Sequence, residues 1–219
     1  MKDKVCLILS GGMDSTTLLY DLLDQKKWVF AIIFNYGQKH MKETICAINT
    51  CEDLNVPYTY INFGVLNDIA PSALTRKDWN VPEGYYTASN MKETVVPNRN
   101  MVMLSLATSY AISIEAEELY YGAHSGDHDI YPDCRKEFID ALGEAISLCD
   151  WHKVELKVPY WNATKGDIAK IGKELKVDYS NTWTCYKGKE KACGKCGSCI
   201  ERLEAFEEAN MEDPLKYEV

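Results

Sequence analysis

The feature that most constrains this chain is a short turn, Ser10-Gly11-Gly12-Met13-Asp14-Ser15, set between two apolar patterns of different period. Before it, Val5 to Leu9 is apolar at every position, as a strand covered on both faces must be. After it, Leu18, Leu19, Leu22 and Leu23 recur at helical spacing. The two glycines let the backbone turn tightly and approach a ligand, and the following helix start offers unpaired N–H groups and a positive dipole end. A phosphate suits that position. A P-loop would end in Gly-Lys-[Ser/Thr] and a dinucleotide turn would read G-x-G-x-x-G, and the segment is neither. The competing reading is an ordinary strand-to-helix turn in which Asp14 and Ser15 only cap the helix.

The alternation continues along the chain. Trp28 to Phe34 is a second continuous apolar run, and Met41, Ile45, Ile48, Cys51 and Leu54 form a second helical stripe. Tyr58 to Phe63 and Leu119 to Tyr121 are further predicted strands, with an apolar helix from about Met101 to Ile114 between them. Val154 to Val158 alternates as an edge strand does, and Thr164-Lys165-Gly166-Asp167 reads as a capping box opening another helix. The sum predicts an α/β doubly wound parallel sheet. Gly64 to Pro97 has no sustained period and contains Pro71, Pro82, Gly84 and Pro97, so it is expected to be a lid or substrate loop.

The 219 residues fit one such domain, residues 1–180, plus a small appendage, residues 181–219. The appendage is expected from its cysteines. Of nine in the chain, four fall in the pattern Cys185-x7-Cys193-x2-Cys196-x2-Cys199, with Gly194 and Gly197 in the knuckles. Four thiolates at that spacing suit one tetrahedral Zn²⁺, and a closed set leaves no position for water, so one structural zinc per chain is expected. Cys6, Cys46, Cys51, Cys134 and Cys149 are expected to be small core side chains, with Cys134 near the substrate loop. His40, His124, His128 and His152 sit at no spacing that demands catalysis and are given no role. The acidic tail from Glu201 to Val219 is expected to be a solvated helix face and terminus.

The net charge of −9 disfavours a nucleic-acid partner, and no apolar run is long enough to cross a bilayer. Lys2 and Lys4 precede too short an apolar run for a signal peptide, so a cytoplasmic chain beginning near Met1 is expected.

The hexapeptide in its strand-turn-helix frame resembles the PP-loop of the ATP pyrophosphatases, which cleave ATP to AMP and diphosphate. Three further stretches narrow the likeness: Asn35-Tyr36-Gly37-Gln38-Lys39-His40, Pro97-Asn98-Arg99-Asn100, and Asp127-His128-Asp129-Ile130-Tyr131-Pro132-Asp133-Cys134-Arg135. With the four clustered cysteines, nearly the whole chain resembles the 7-cyano-7-deazaguanine synthase family. Ser125 to Ile130 departs from the Glu-Thr-Asp-Phe-Ser-Gly version found in other members.

That resemblance implies ATP binding over Ile8, Leu9, Ser10, Gly11, Gly12, Met13, Asp14, Ser15, Thr16, Thr17 and Leu18, with Asp14 holding Mg²⁺. It implies conversion of 7-carboxy-7-deazaguanine and ammonia to the nitrile, through an adenylated acid and an adenylated amide. Asp14, Arg99 and Lys165 are the expected catalytic residues, and Arg99, Asp127 and Asp133 the expected substrate contacts. Arg is chosen for bidentate recognition of a phosphate or carboxylate. A homodimer is implied by the same likeness. Two rivals are weighed. A PP-loop tRNA-thiolating enzyme would need a basic face and catalytic cysteines, and a nonenzymatic zinc-ribbon module would be expected to have lost part of the hexapeptide.

Overall fold

The computed structural model describes residues 3–85, 92–128 and 131–218, with Asp127 and His128 described in their backbone alone. Strands β1 (Lys4–Ile8), β2 (Trp28–Asn35), β3 (Tyr58–Asn62), β4 (Glu118–Tyr120) and β5 (Glu155–Lys157) form one sheet in the order β3-β2-β1-β4-β5. Every neighbouring pair is parallel. The helices are α1 (Met13–Asp24), α2 (Met41–Asp53), α3 (Val65–Ile69), α4 (Arg99–Ser113), the single turn α5 (Ser125–His128), α6 (Lys136–Leu148), α7 (Lys165–Glu174) and α8 (Gly197–Glu208).

Both faces of the sheet are covered, which explains the continuous apolar runs. Val5, Leu7, Val29, Ala31 and Ile33 face one layer, packed with Leu18, Leu19 and Leu22 of α1, Ala47 and Cys51 of α2 and Ile168 of α7. Cys6, Ile32, Phe34 and Leu119 face the other, against Met103, Leu104, Ala107 and Ala111 of α4 and Leu142 and Ile146 of α6. The expected doubly wound sheet is therefore the observed one. Burial pushes the Cys6 and Cys51 thiols up to about 12, so these are packing groups and not nucleophiles. Strand order reverses at β1, between β2 and β4, so the carboxyl ends of β1 and β4 open a crevice at the switch point.

Two expectations need correction. The segment after β3 is not a bare loop, because Val65–Ile69 forms α3 and buries Leu66 and Ala70 in the core. The C-terminal tail is not simply solvated either. Arg202 is fully buried and forks onto Asp213, Nε to Oδ2 at 2.8 Å and Nη2 to Oδ1 at 3.0 Å. Its other hydrogens go to Thr182 Oγ1 (2.8 Å), Thr184 Oγ1 (3.1 Å) and the Tyr179 carbonyl (3.2 Å). A guanidinium can be buried only when its donors are matched in this way. Ala205 and Phe206 of α8 then pack with Met13, Ala169 and Tyr179, and Ala192 pairs with the strand-like end at Lys216 to Glu218. Among the described residues no helix is long and apolar enough to cross a membrane.

Candidate active site

The PP-loop begins where β1 stops. Gly11 has φ +90°, and a Cβ there would lie 2.0 Å from the Glu43 carbonyl oxygen on α2, so only glycine fits this crossing. Two serine hydroxyls hold the turn. Ser15 Oγ accepts the Ser10 N–H at 3.2 Å, Ser10 Oγ accepts the Gly12 N–H at 3.2 Å, and the two oxygens are 3.0 Å apart. Gly12 is the cap of α1, whose first turn contains Asp14.

One cavity runs from this turn across the carboxyl ends of the strands. Ile8, Leu9, Ser10, Gly12, Met13, Asp14 and Ser15 line it, as do Arg99 and Lys165. Gly11, Thr16, Thr17 and Leu18 do not. Thr17 Oγ1 is committed to the Met13 carbonyl (2.8 Å) and Tyr179 Oη (2.7 Å), and Leu18 belongs to the core. The Thr17 hydroxyl and the Leu18 side chain thus have partners inside the fold.

Asp14 is the charged centre of this end. Its Oδ2 lies 3.5 Å from Lys165 Nζ and 4.0 Å from His124 Nε2, while its Oδ1 is buried without a hydrogen-bond partner among the described residues. An unpaired buried carboxylate oxygen is costly, and a hard cation brought by a nucleotide would satisfy it. Lys165 is the first residue of α7, fixed by the Thr164–Asp167 capping box, and its ammonium is also 2.9 Å from Glu201 Oε2 on α8. Its side chain is 11% exposed, unlike an ordinary surface lysine.

Arg99 stands at the other end, in the first turn of α4 after left-handed Asn98. Nη1 donates to Tyr36 Oη at 3.3 Å, and the guanidinium lies 5.6 Å from the Tyr36 ring centre. Burial works against its charge, while Tyr36, Tyr121, Tyr131 and Tyr186 around it favour the charge and leave its pKa well above the usual arginine value. Among the described residues no carboxylate pairs with it. Buried Gln38 holds the Tyr36 turn by accepting its N–H at 2.8 Å and donating to the Phe34 carbonyl at 3.3 Å.

Asp133 stands beside the start of α4. Its carboxylate accepts the Asn100 N–H at 3.4 Å at the start of α4, and it does not line the cavity. The side chain of Asp127 lies outside the described residues. Cys134 is buried on the cavity wall, within 3.3 Å of Tyr121 Oη. His40 and His124, given no role from the sequence, are both buried and both line the cavity. His40 Nε2 is 3.1 Å from Glu43 Oε2. For His124 the only signal in the sequence was its place just beyond a strand's carboxyl end.

The four clustered cysteines are all buried, and their sulfurs all lie within 4.8 Å of one another. Cys193 to Cys199 is 3.9 Å and Cys196 to Cys199 is 3.4 Å, near the ~3.8 Å edge of a tetrahedron of ~2.3 Å metal–sulfur bonds. Backbone N–H groups of Cys193, Lys195 and Cys196 point at sulfur, as in thiolate knuckles. Hydrogen bonds from Cys185 and Cys199 hold the Cys196 thiol well below its usual range. This set fits one metal ion. The segment also builds the cavity, since the Trp183 N–H donates to the Gly11 carbonyl at 3.0 Å and Trp183, Thr184, Tyr186, Ser198 and Glu201 all line it.

A doubly wound parallel sheet with SGGMDS at its switch point, a cavity lined by that turn and a four-cysteine knuckle defines a PP-loop ATP pyrophosphatase-type protein. The model of the family "Queuosine biosynthesis protein QueC" matches residues 4–210, and the chain belongs to that family. Among its relatives, a 7-cyano-7-deazaguanine synthase of Methanoregula boonei is 63% identical over 215 residues, 98% of this chain and 99% of the relative. One of Caldicellulosiruptor saccharolyticus is 59% identical over 216 residues, 99% and 96%. The solved structure of NMN synthetase from Francisella tularensis superposes with a TM-score of 0.56 at 14% identity, covering 96% of this chain and 79% of that one. A predicted subunit of tRNA methyltransferase from Methanocaldococcus jannaschii gives 0.51 at 16% identity, covering 98% and 94%. These two likenesses show the fold alone.

Proposed function

We propose that this chain is an ATP-dependent carbon–nitrogen ligase that converts 7-carboxy-7-deazaguanine and ammonia to 7-cyano-7-deazaguanine, with release of AMP and diphosphate. The observation that carries it is the single cavity joining the PP-loop to Arg99 in a chain of this family. The PP-loop end suits the β and γ phosphates, and attack is thereby directed to the α phosphorus. Arg99, charged and without a carboxylate partner among the described residues, suits the acid of the substrate, and the surrounding tyrosines suit its flat ring.

In the first half-reaction a carboxylate oxygen of the substrate attacks the α phosphorus and the bond to the bridging oxygen of diphosphate breaks. Ammonia adds to the acyl carbon, AMP leaves, and the amide remains. The amide oxygen then attacks a second ATP in the same way, and loss of AMP with two protons from nitrogen gives the nitrile. The chain's own residues supply positioning and charge: Lys165 beside Asp14 at the phosphates, Arg99 at the acid. Asp14, with the Ser10 and Ser15 hydroxyls nearby, would hold Mg²⁺, which supplies charge neutralisation to the phosphates. Cys185, Cys193, Cys196 and Cys199 would hold a structural Zn²⁺.

Several broader features belong to the same reading: residues 1–180 as the catalytic domain with 181–219 as its metal-held appendage, a cytoplasmic setting, and a homodimer. The reading is tested by mass spectrometry of products from ATP, ammonium and the deazapurine acid. Two AMP per nitrile, and one when the amide is supplied, is the expected result. ADP as product, or an amide end point, overturns it.

A further inference from the structure

Glu43, in the first turn of α2, lines the same cavity as the PP-loop and Arg99. Its backbone is pinned to the phosphate turn, because its carbonyl is the group that boxes Gly11. Its carboxylate is held by His40. The Nε2 of that buried ring is 3.1 Å from Glu43 Oε2, and since a carboxylate oxygen only accepts, Nε2 carries the hydrogen. The other ring nitrogen is buried without a hydrogen-bond partner among the described residues, so the polar contact that orients the ring is the one to Glu43.

The second carboxylate oxygen, Oε1, faces Gly12. Where a side chain on Gly12 would begin, the three nearest atoms are all oxygens: Glu43 Oε1 at 3.1 Å, Ser10 Oγ at 3.3 Å and the Trp183 carbonyl at 3.8 Å. All four residues line the cavity. Asp14 and Glu201, the other carboxylates on its wall, both meet Lys165, whereas among the described residues no lysine or arginine pairs with Glu43. Three acceptors with uncompensated negative charge suit a small group whose hydrogens are all N–H donors. The place is also within electrostatic reach of the acid end: burial pushes the Tyr36 hydroxyl up, Arg99 opposes that shift, and the charge of Glu43 adds to it.

We propose that the bare face of Gly12 is the ammonia site, where Glu43 Oε1, Ser10 Oγ and the Trp183 carbonyl accept the three N–H groups and leave the lone pair toward the cavity. The inference rests on the amide-forming reading above and gives its nucleophile a place. The lone pair bonds to the acyl carbon of the adenylate, and the bond from that carbon to the AMP oxygen breaks with its electron pair. One hydrogen of the nitrogen leaves on AMP. The second half-reaction starts from the amide and draws on no ammonia.

That asymmetry supplies the test. Glu43→Gln keeps an acceptor for His40 but removes the charge, so KM for ammonium should rise about 10-fold to 100-fold in the reaction of the acid. KM for ATP, KM for the acid and the conversion of supplied amide to nitrile should change less than about 2-fold. Glu43→Asp, which keeps the charge but draws it back, should raise KM for ammonium in the same direction by a smaller factor, and thermal midpoints confirm that both variants are folded. An unchanged KM for ammonium in Glu43→Gln overturns the proposal. So does an equal loss in the amide reaction, or a rise in KM for Mg²⁺–ATP, either of which would make Glu43 a group for the phosphates or their metal. If the unaltered protein makes nitrile from the acid while the ammonium constants of the variants stay put, only the ammonia site fails. If it makes no nitrile, the proposed function fails and the site falls with it.

Discussion

The two ends of the cavity are built in different ways. At the PP-loop end the ligand surface is mostly backbone and hydroxyl, made by one continuous turn whose serines bond to each other and whose glycine is pressed against α2. At the Arg99 end it is side chain, one guanidinium among tyrosines that come from four separate segments. The first kind of site tolerates no added volume. The second is sensitive to the shape of the charged group. Both ends lean on the four-cysteine segment, because Trp183 bonds Gly11 and Tyr186 stands by Arg99, two residues before and one after Cys185.

That shared dependence gives the largest expected effect. A closed site of four thiolates contributes on the order of 10 kcal/mol to the segment that it folds. Stripping the metal with a chelator should therefore abolish ATP and deazapurine binding together and lower the thermal midpoint, as calorimetry with and without restored zinc would show. Loss of one binding activity alone would show that the two ends do not share this support.

Asp14→Asn comes next and acts at the PP-loop end only. It should lower kcat about 10³-fold, about 4 kcal/mol, while the thermal midpoint holds or rises, because the unpaired Oδ1 costs stability when no ligand is present. Turnover at saturating ATP and Mg²⁺, set beside the melting curve, checks this.

Gly11→Ala should cost about 3 kcal/mol, since its Cβ meets the Glu43 carbonyl at 2.0 Å and the Ala47 nitrogen at 2.7 Å. Stability and ATP affinity should fall together in urea titration and binding measurements. Unchanged stability would mean that α2 can retreat, and that the turn is less tightly boxed than its backbone contacts indicate.

The smallest effect belongs to the other end. Arg99→Lys keeps the charge and loses the planar fork, so KM for the acid should rise about 10-fold to 100-fold while KM for ATP barely moves. A rise in the ATP constant instead would place Arg99 at the phosphates and erase the division between the two ends.

How legible each end was follows from the same contrast. The turn at Ser10–Ser15, the parallel strands on either side of the switch point and the four-cysteine knuckle were readable because each is set by neighbours in sequence: apolar period, glycine freedom, ligand spacing. The capping box at Thr164 was readable for the same reason, and it correctly marked where α7 begins. The meeting of His124 and Lys165 at Asp14, with Glu201 on the other side of that lysine's ion pairing, was not, since these groups come from the segment after β4, from α7 and from α8 through contacts spanning most of the chain. Nor could spacing show that Asp133 serves the start of α4, or that Arg202 and Asp213 bury their charges in the tail. Sequence alone determined the local shapes, because backbone sterics and hydrophobic period act over a few residues. Tertiary structure decided which charges meet, because a side chain's electrostatic partners and its exclusion from water exist only once distant segments have packed.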